Sequence, residues 1–199
     1  MALTESVMLA LGTSAPDFSL PSTEGHIVSL DDFKHKKLLV VIFMCNHCPY
    51  VKHIATALAQ VASEYSAKNV GFVGISSNDV EAYPEDSLEK MKQEKIEREY
   101  TFPYLLDETQ EVALVYNAAC TPDFFVFDEN RALAYRGQFD DTRPSRIASG
   151  QYDFSGNLAS GSDLKAALDT LLAGNDLTGT QYPAMGCNIK WKPGNEPIN

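Results

Sequence analysis

An apolar run, Leu38-Leu39-Val40-Val41-Ile42-Phe43, ends in Met44-Cys45-Asn46-His47-Cys48-Pro49 and passes at once into a helical pattern. Six consecutive apolar residues with no polar alternation read as a strand covered on both faces, the centre of an α/β sheet. Beyond Pro49, residues Val51, Ile54, Leu58, Val61 and Tyr65 recur at helical spacing and form a buried stripe. His53, Thr56, Gln60 and Ser63 form the opposite, polar stripe. Val70-Gly71-Phe72-Val73-Gly74-Ile75 is a second buried strand. Residues 38–75 therefore spell a strand–helix–strand unit, with parallel strands and a right-handed crossover. The two cysteines stand where the strand hands over to the helix. A helix start presents unpaired N–H groups and partial positive charge, which favour a thiolate over a thiol. A free cysteine with a pKa of about 8.5 is only slightly ionised at neutral pH, and one lowered to about 6.5 is mostly ionised. The thiolate is the nucleophile, so a Cys-x-x-Cys in this context reads as a thiol–disulfide redox site.

Composition narrows the setting. The chain has 199 residues, 44% of them hydrophobic, enough for one domain with a core. A net charge of −11 argues against nucleic acid or an anionic membrane as partner. No apolar stretch has the length of a bilayer span. Met1-Ala2-Leu3-Thr4-Glu5-Ser6 lacks the basic flank and apolar core of a signal peptide. Four cysteines without a paired framework fit a reducing compartment, so the expected location is cytoplasmic.

The remaining pattern is that of one redox domain over residues 1–174 with a tail over 175–199. Ala15 to Pro21 is extended, and Ile27-Val28-Ser29-Leu30 is a short strand. Residues 86–99 are charge-rich, with Leu88, Met91 and Ile96 as sparse anchors of an exposed helix. Phe102 to Leu106 is strand-like, and Asp107 with Gln110 opens a helix through Val115. Asp123 to Phe127 and Ala132 to Tyr135 form a hairpin turning at Asp128-Glu129-Asn130. Residues 140–161 read as a long surface loop. Leu164, Ala167, Leu168, Leu171 and Leu172 define a last amphipathic helix, with Ser162 as N-cap and Gly174 as stop.

Cys120-Thr121-Pro122 sits just before the hairpin, and an X–Pro bond is the common site of a cis peptide. With that motif in place the chain resembles the thioredoxin fold, a central mixed β-sheet flanked by helices with an N-terminal extension and a C-terminal tail. Ala15-Pro16-Asp17-Phe18-Ser19-Leu20 and Val28-Ser29-Leu30-x-x-Phe33 resemble the peroxiredoxin-like branch of the alkyl hydroperoxide reductase/thiol-specific antioxidant superfamily. Cys45 through His53, Arg136 through Asp141 and Gly186 through Pro197 resemble a group of bacterial redoxins. The resemblance implies that Cys45 is an exposed attacking thiol and Cys48 its more buried resolving partner. It implies that Thr121 and Pro122 face the pair and position a substrate backbone. His47, as an imidazolium, would stabilise the reduced form, giving a potential of about −180 to −230 mV against about −270 mV for thioredoxin. No organic cofactor is implied. The partners would be a protein or small-molecule thiol or disulfide and a reductant such as thioredoxin or glutathione.

The pattern departs from its relatives in informative ways. Met44 replaces the tryptophan that precedes the first cysteine of thioredoxin. If Cys48 is aligned with the peroxide-reactive cysteine of peroxiredoxins, Cys45 and Val41 occupy the positions of their threonine and proline. Thiol peroxidase activity is therefore the second expectation, and a thiol-based metal-binding module the third. A structural zinc takes four ligands, generally from two cysteine pairs, and one such pair is present, so no metal site is assigned. Cys120 reads equally as a packed small residue or as an auxiliary thiol. Cys187, in the tail, is a second possible auxiliary thiol able to fold back and resolve an oxidised sulfur. His26, His35 and His53 read as surface residues, Trp191 as a packing anchor, and Arg136 and Arg143 as partners of Asp140 or Asp141.

Overall fold

In the computed structural model, residues 3–197 are described. The chain runs through β1 (Leu3–Glu5), β2 (Ser19–Pro21), β3 (Ile27–Ser29), β4 (Leu38–Phe43), α1 (Pro49–Ser66), β5 (Val70–Ser76), α2 (Leu88–Glu97), β6 (Tyr104–Leu106) and α3 (Glu111–Val115). It continues through β7 (Cys120–Thr121), β8 (Asp123–Phe127), β9 (Leu133–Gly137), β10 (Ser145–Ala148), β11 (Gln151–Asp153), α4 (Ser162–Leu172) and β12 (Met185–Asn188). Short 3-10 turns occupy Leu30–Phe33 and Pro84–Asp86.

The main sheet has the order β6-β5-β4-β8-β9. Strands β4, β5 and β6 are parallel, and β8 and β9 are antiparallel, so the sheet is mixed. The apolar run at 38–43 is its centre, with Val41 opposite Val73 on one side and Phe125 on the other. Strand geometry sends alternate residues to opposite faces. Leu38, Val40 and Ile42 pack with the buried stripes of α1 and α4, and Leu39, Val41 and Phe43 with α3 and the β2–β3 hairpin. Both faces are therefore covered, which is why the strand carries no polar residue. Trp191 packs against the second of these clusters.

Several expectations change. Residues 140–161 contain the β10–β11 hairpin rather than loop alone. All four residues of β10 are exposed, so no alternation marked it. Gly161, in a left-handed conformation, caps α4, with Ser162 its first residue. Ile96 is 69% exposed and anchors nothing, whereas Met91 is buried. The C-terminal segment is built into the fold. β12 lies between β1 and β7 in a three-stranded antiparallel sheet.

Leu58 is wholly buried beneath the main sheet. Leu58→Ala is expected to lower the unfolding free energy by about 2–5 kcal/mol, and Ile96→Ala to change it by less than about 0.5 kcal/mol. Urea titrations of the two variants check this.

Candidate active site

The site forms where β4 ends. The Met44 N–H still bonds the Ile75 carbonyl at 2.9 Å, so the chain leaves the sheet inside the protein. Cys48 is the N-cap of α1 in an extended conformation, with Pro49 first in the helix. Proline disfavours helical backbone in the residue before it, and at the first helical position it sacrifices no hydrogen bond. Cys48 therefore stands at the open end of the helix, in the field of its terminal N–H groups.

The segment after β5 folds over Cys45, Asn46 and His47. Its anchor is Asp86, which has no exposed surface. Asp86 Oδ1 accepts the backbone N–H of Asn46 at 2.8 Å and of His47 at 3.2 Å. Oδ2 accepts Asn78 Nδ2 at 2.8 Å and lies 2.6 Å from His47 Nδ1. A carboxylate only accepts, so the proton of that last bond sits on Nδ1. Asn46 is fixed from two sides, donating to the Glu85 carbonyl at 2.8 Å and accepting from the Tyr104 hydroxyl at 3.1 Å. The His47 ring stacks on Tyr83, with centroids 5.2 Å apart, and its Nε2 is buried without a hydrogen-bond partner. Asp86 was hidden in the sequence. It opens a charge-rich stretch, forty residues from the cysteines, with no spacing that ties it to them.

The thiols are less accessible than expected. Cys45 is 1% exposed and Cys48 0%, so the exposed first cysteine is replaced by two equally buried sulfurs. Cys45 Sγ lies 3.6 Å from Thr121 Oγ1 and 4.0 Å from His47 Nδ1. Cys48 Sγ donates to the Thr121 carbonyl at 3.1 Å. The Thr121–Pro122 peptide bond is cis. Burial, the Cys48 sulfur and the Asp86 charge push the Cys45 thiol well above the ordinary range, against the Thr121 hydroxyl. Burial also acts to raise Cys48. The neighbouring Cys187 and Cys45 sulfurs, Thr121 and the helix start outweigh it and hold Cys48 well below the ordinary range. Its bond to the Thr121 carbonyl is the one contact Cys48 gives up on ionising. Cys187, bonded to Cys48 and buried, is pushed up.

Cys45, His47, Cys48, Thr121, Pro122 and Cys187 thus converge. Cys120 does not join them, since its sulfur points to the Pro122 and Ala184 carbonyls at 3.6 and 3.9 Å. Burial and the Asp123 carboxyl push Cys120 well up. Burial pushes Asp123 itself well up. Arg136 bonds the Leu9 carbonyl and Gln181 rather than an acid. Arg143 bonds the Asp140 and Thr142 carbonyls and Gln138 Oε1. His53 is half-buried, not solvated; its Nε2 donates to Thr142 Oγ1 at 2.9 Å. Burial lowers its pKa.

Cys45, His47 and Asp86 bring ligand-type atoms within 4.8 Å of one another, the one such cluster among the described residues. Two ligands of a tetrahedral metal with bonds of about 2.1 Å stand about 3.4 Å apart. His47 Nδ1 and Asp86 Oδ2, at 2.6 Å, are instead committed to each other.

Residues 11–136 match the model of the AhpC/TSA family. The chain belongs to the AhpC/TSA family. It is 48% identical to an uncharacterised conserved protein of Geobacillus kaustophilus, over 98% of both chains, with a TM-score of 0.90. It is 29% identical to the thiol-disulfide oxidoreductase ResA of the same species, over 64% of this chain and 68% of the relative. The thioredoxin domain of a thiol-disulfide oxidoreductase from Bacteroides vulgatus shares the fold, with a TM-score of 0.58 at 19% identity over 80% of this chain and 99% of that one. This AhpC/TSA protein has a thioredoxin-like fold and is an oxidoreductase working through thiol redox chemistry. Among its described residues no helix is long and apolar enough to cross a membrane.

The reduced AhpC/TSA protein is expected to show one thiolate titrating below the ordinary cysteine value of about 8.5. Depression of a thiol pKa adds stability above that value, and the gain is lost as pH falls through the folded pKa. Following ultraviolet thiolate absorbance against pH, the low step should vanish in Cys48→Ser. It should persist, shifted upward, in Cys45→Ser, which exchanges the thiol donor for a hydroxyl.

Proposed function

We propose that the chain is a thiol–disulfide oxidoreductase whose working pair is Cys45 and Cys48, with Cys48 as the attacking sulfur. One observation carries the reading: Cys48 is the N-cap of the long helix α1, whose terminal N–H groups and partial positive charge favour a thiolate there, and its pKa is held well below the ordinary range. The resemblance to thioredoxin-fold redoxins implies attack by Cys45, as the exposed thiol. With both sulfurs buried alike, ionisation decides between them. The Cys48 thiolate attacks one sulfur of a substrate disulfide, and the other sulfur leaves with the bonding pair and takes up a proton. Cys45 then gives up its proton and attacks Cys48 Sγ, and the first substrate sulfur departs with its electron pair. The product is a Cys45–Cys48 disulfide, two electrons having passed to the substrate. A thiol reductant such as thioredoxin or glutathione restores the pair.

Thr121 and Pro122 serve as the wall against which the sulfurs are aligned, the Thr121 hydroxyl beside Cys45 and its carbonyl beside Cys48. His47 holds the turn between the cysteines, and Asp86 offsets much of the field its imidazolium would exert. A reducing, cytoplasmic setting suits four unbridged cysteines. Reduction of insulin disulfides tests the role of Cys48. Cys48→Ser is expected to lower the rate by about a thousandfold or more. A Cys48→Ser protein that still forms mixed disulfides through Cys45 at the wild-type rate overturns the assignment.

Membership of the AhpC/TSA family favours a second reading, peroxide reduction. Here the Cys48 thiolate would attack one peroxide oxygen, the O–O bond breaking and the other oxygen leaving as water after protonation. Cys45 would condense with the resulting sulfenic acid, forming the Cys45–Cys48 disulfide and releasing a second water. Cys45 occupies the place where peroxiredoxins carry a threonine hydroxyl, and such transition-state donors are worth about 2.7–4 kcal/mol. Stopped-flow oxidation by hydrogen peroxide is therefore expected to run about 100- to 1,000-fold slower than in peroxidases with that hydroxyl. Oxidation as fast as theirs makes peroxide the substrate.

A further inference from the structure

Strand β12 brings a third thiol to the site. Cys187 stands in register with Thr121, whose carbonyl accepts the Cys48 thiol at 3.1 Å, so the strand carries Cys187 to the edge of the cysteine pair. Cys187 is 3% exposed and lies in the same packed cluster as Cys45 and Cys48.

Its placement is enforced from both sides. Upstream, Ser6 and Ala184 exchange two bonds, N–H to carbonyl at 2.8 Å and N–H to Oγ at 2.9 Å. Downstream, the Lys190 N–H bonds Asn78 Oδ1 at 2.8 Å. The Lys190 carbonyl accepts the Asp79 N–H and Gln110 Nε2. Asn78 also bonds Asp86, so the segment that covers Cys45 and the strand that carries Cys187 share an anchor. Gly186 shows how closely the strand is seated. A Cβ there would stand 2.0 Å from the Thr121 carbonyl oxygen and 2.7 Å from its carbon. Those are backbone atoms with no side-chain freedom to move aside. Gly186 is not among the positive-φ residues, so glycine is needed for close approach and not for backbone conformation.

We propose that Cys187 is a third redox-active thiol, and that Cys48 is the shared sulfur of two alternative disulfides, Cys45–Cys48 and Cys48–Cys187. The proposal rests on Cys48 being the attacking sulfur. When a substrate sulfur is bound to Cys48, Cys187 loses its proton and attacks Cys48 Sγ. The Cys48–substrate bond breaks, and the substrate sulfur leaves with the electron pair and takes up a proton. The substrate disulfide gains two electrons, and Cys48 with Cys187 loses them. The same attack on a Cys45–Cys48 bond transfers the pair to Cys45 with no net oxidation. The chain would then hold its oxidising equivalent in a bond that ties β12 over the site and leaves Cys45 reduced.

Oxidation of the full-length reduced protein with oxidised glutathione, acid quenching, alkylation and mass spectrometry of the linked peptides test this. Wild type should yield both Cys45–Cys48 and Cys48–Cys187 peptide pairs, and a Cys45–Cys48 pair alone overturns the proposal. Cys45→Ser should close a Cys48–Cys187 disulfide. Glutathione should remain on Cys48 only when Cys187→Ser is added, at a level about tenfold or more above the single variant, because a held intramolecular thiol outcompetes one from solution. Equal glutathionylation of Cys48 in the single and double variants overturns the third-thiol inference while leaving the attacking role of Cys48 standing. No glutathione on Cys48 in the double variant overturns both. Gly186→Ala, with every cysteine kept, should lower the Cys48–Cys187 fraction about tenfold and spare Cys45–Cys48. An unchanged fraction refutes the docking that brings Cys187 to Cys48.

Discussion

Strand β4 is covered on both faces, and the chain is still inside the protein when it reaches Cys45. That constraint shapes the rest of the site. A redox pair at a surface can let water satisfy its polar groups. Here partners must come from the protein itself, because a buried polar group without one costs about 1–3 kcal/mol and a buried charge more. The partners come from far along the chain: Asp86 for the backbone of Asn46 and His47, and Thr121 for both sulfurs.

Asp86 shows how magnitude selects geometry. A buried hydrogen-bonding group left without its partner costs about 1–3 kcal/mol, a sizeable share of the stability of a domain. Asp86 is surrounded by two backbone N–H groups, an amide and an imidazole. Together the four fix three segments: the turn between the cysteines, the His47 ring and the stretch that follows β5. The carboxylate thus holds the shape of the motif without touching a sulfur. Its charge also opposes a thiolate on Cys45, adding to burial and the Cys48 sulfur, which weigh more.

The sheet centre and its first helix were legible because their signals are local and periodic. The run at 38–43, the stripe from Val51 to Tyr65 and the hairpin from Asp123 to Tyr135 all follow from spacings within one element. The cysteine pair and Thr121-Pro122 were legible for the same reason. The elements that escaped are the ones whose role is set by a distant partner. Asp86 reads as one acid among many until the fold brings it under His47. Arg136 reads as a surface charge until it meets the Leu9 carbonyl. β12 is four residues long, contains a glycine and alternates weakly, so it becomes a strand only through the pairing edges of β1 and β7.

The family match ends at residue 136, and what closes the site over the sulfurs comes partly from beyond it. An unpaired edge at β7 would leave Thr121 open to any extended chain, and β12 fills that edge with the protein's own backbone. The filling is tight at Gly186 yet short. β1 spans three residues, β7 two and β12 four, so a few ladder hydrogen bonds hold the cover. Local openings of such segments require far less free energy than global unfolding. Displacing the β12 edge would uncover Thr121 and the sulfurs beside it with the main sheet left intact. The state of the Cys187 thiol then bears directly on access, because a covalent bond to Cys48 would hold shut what hydrogen bonds alone let open.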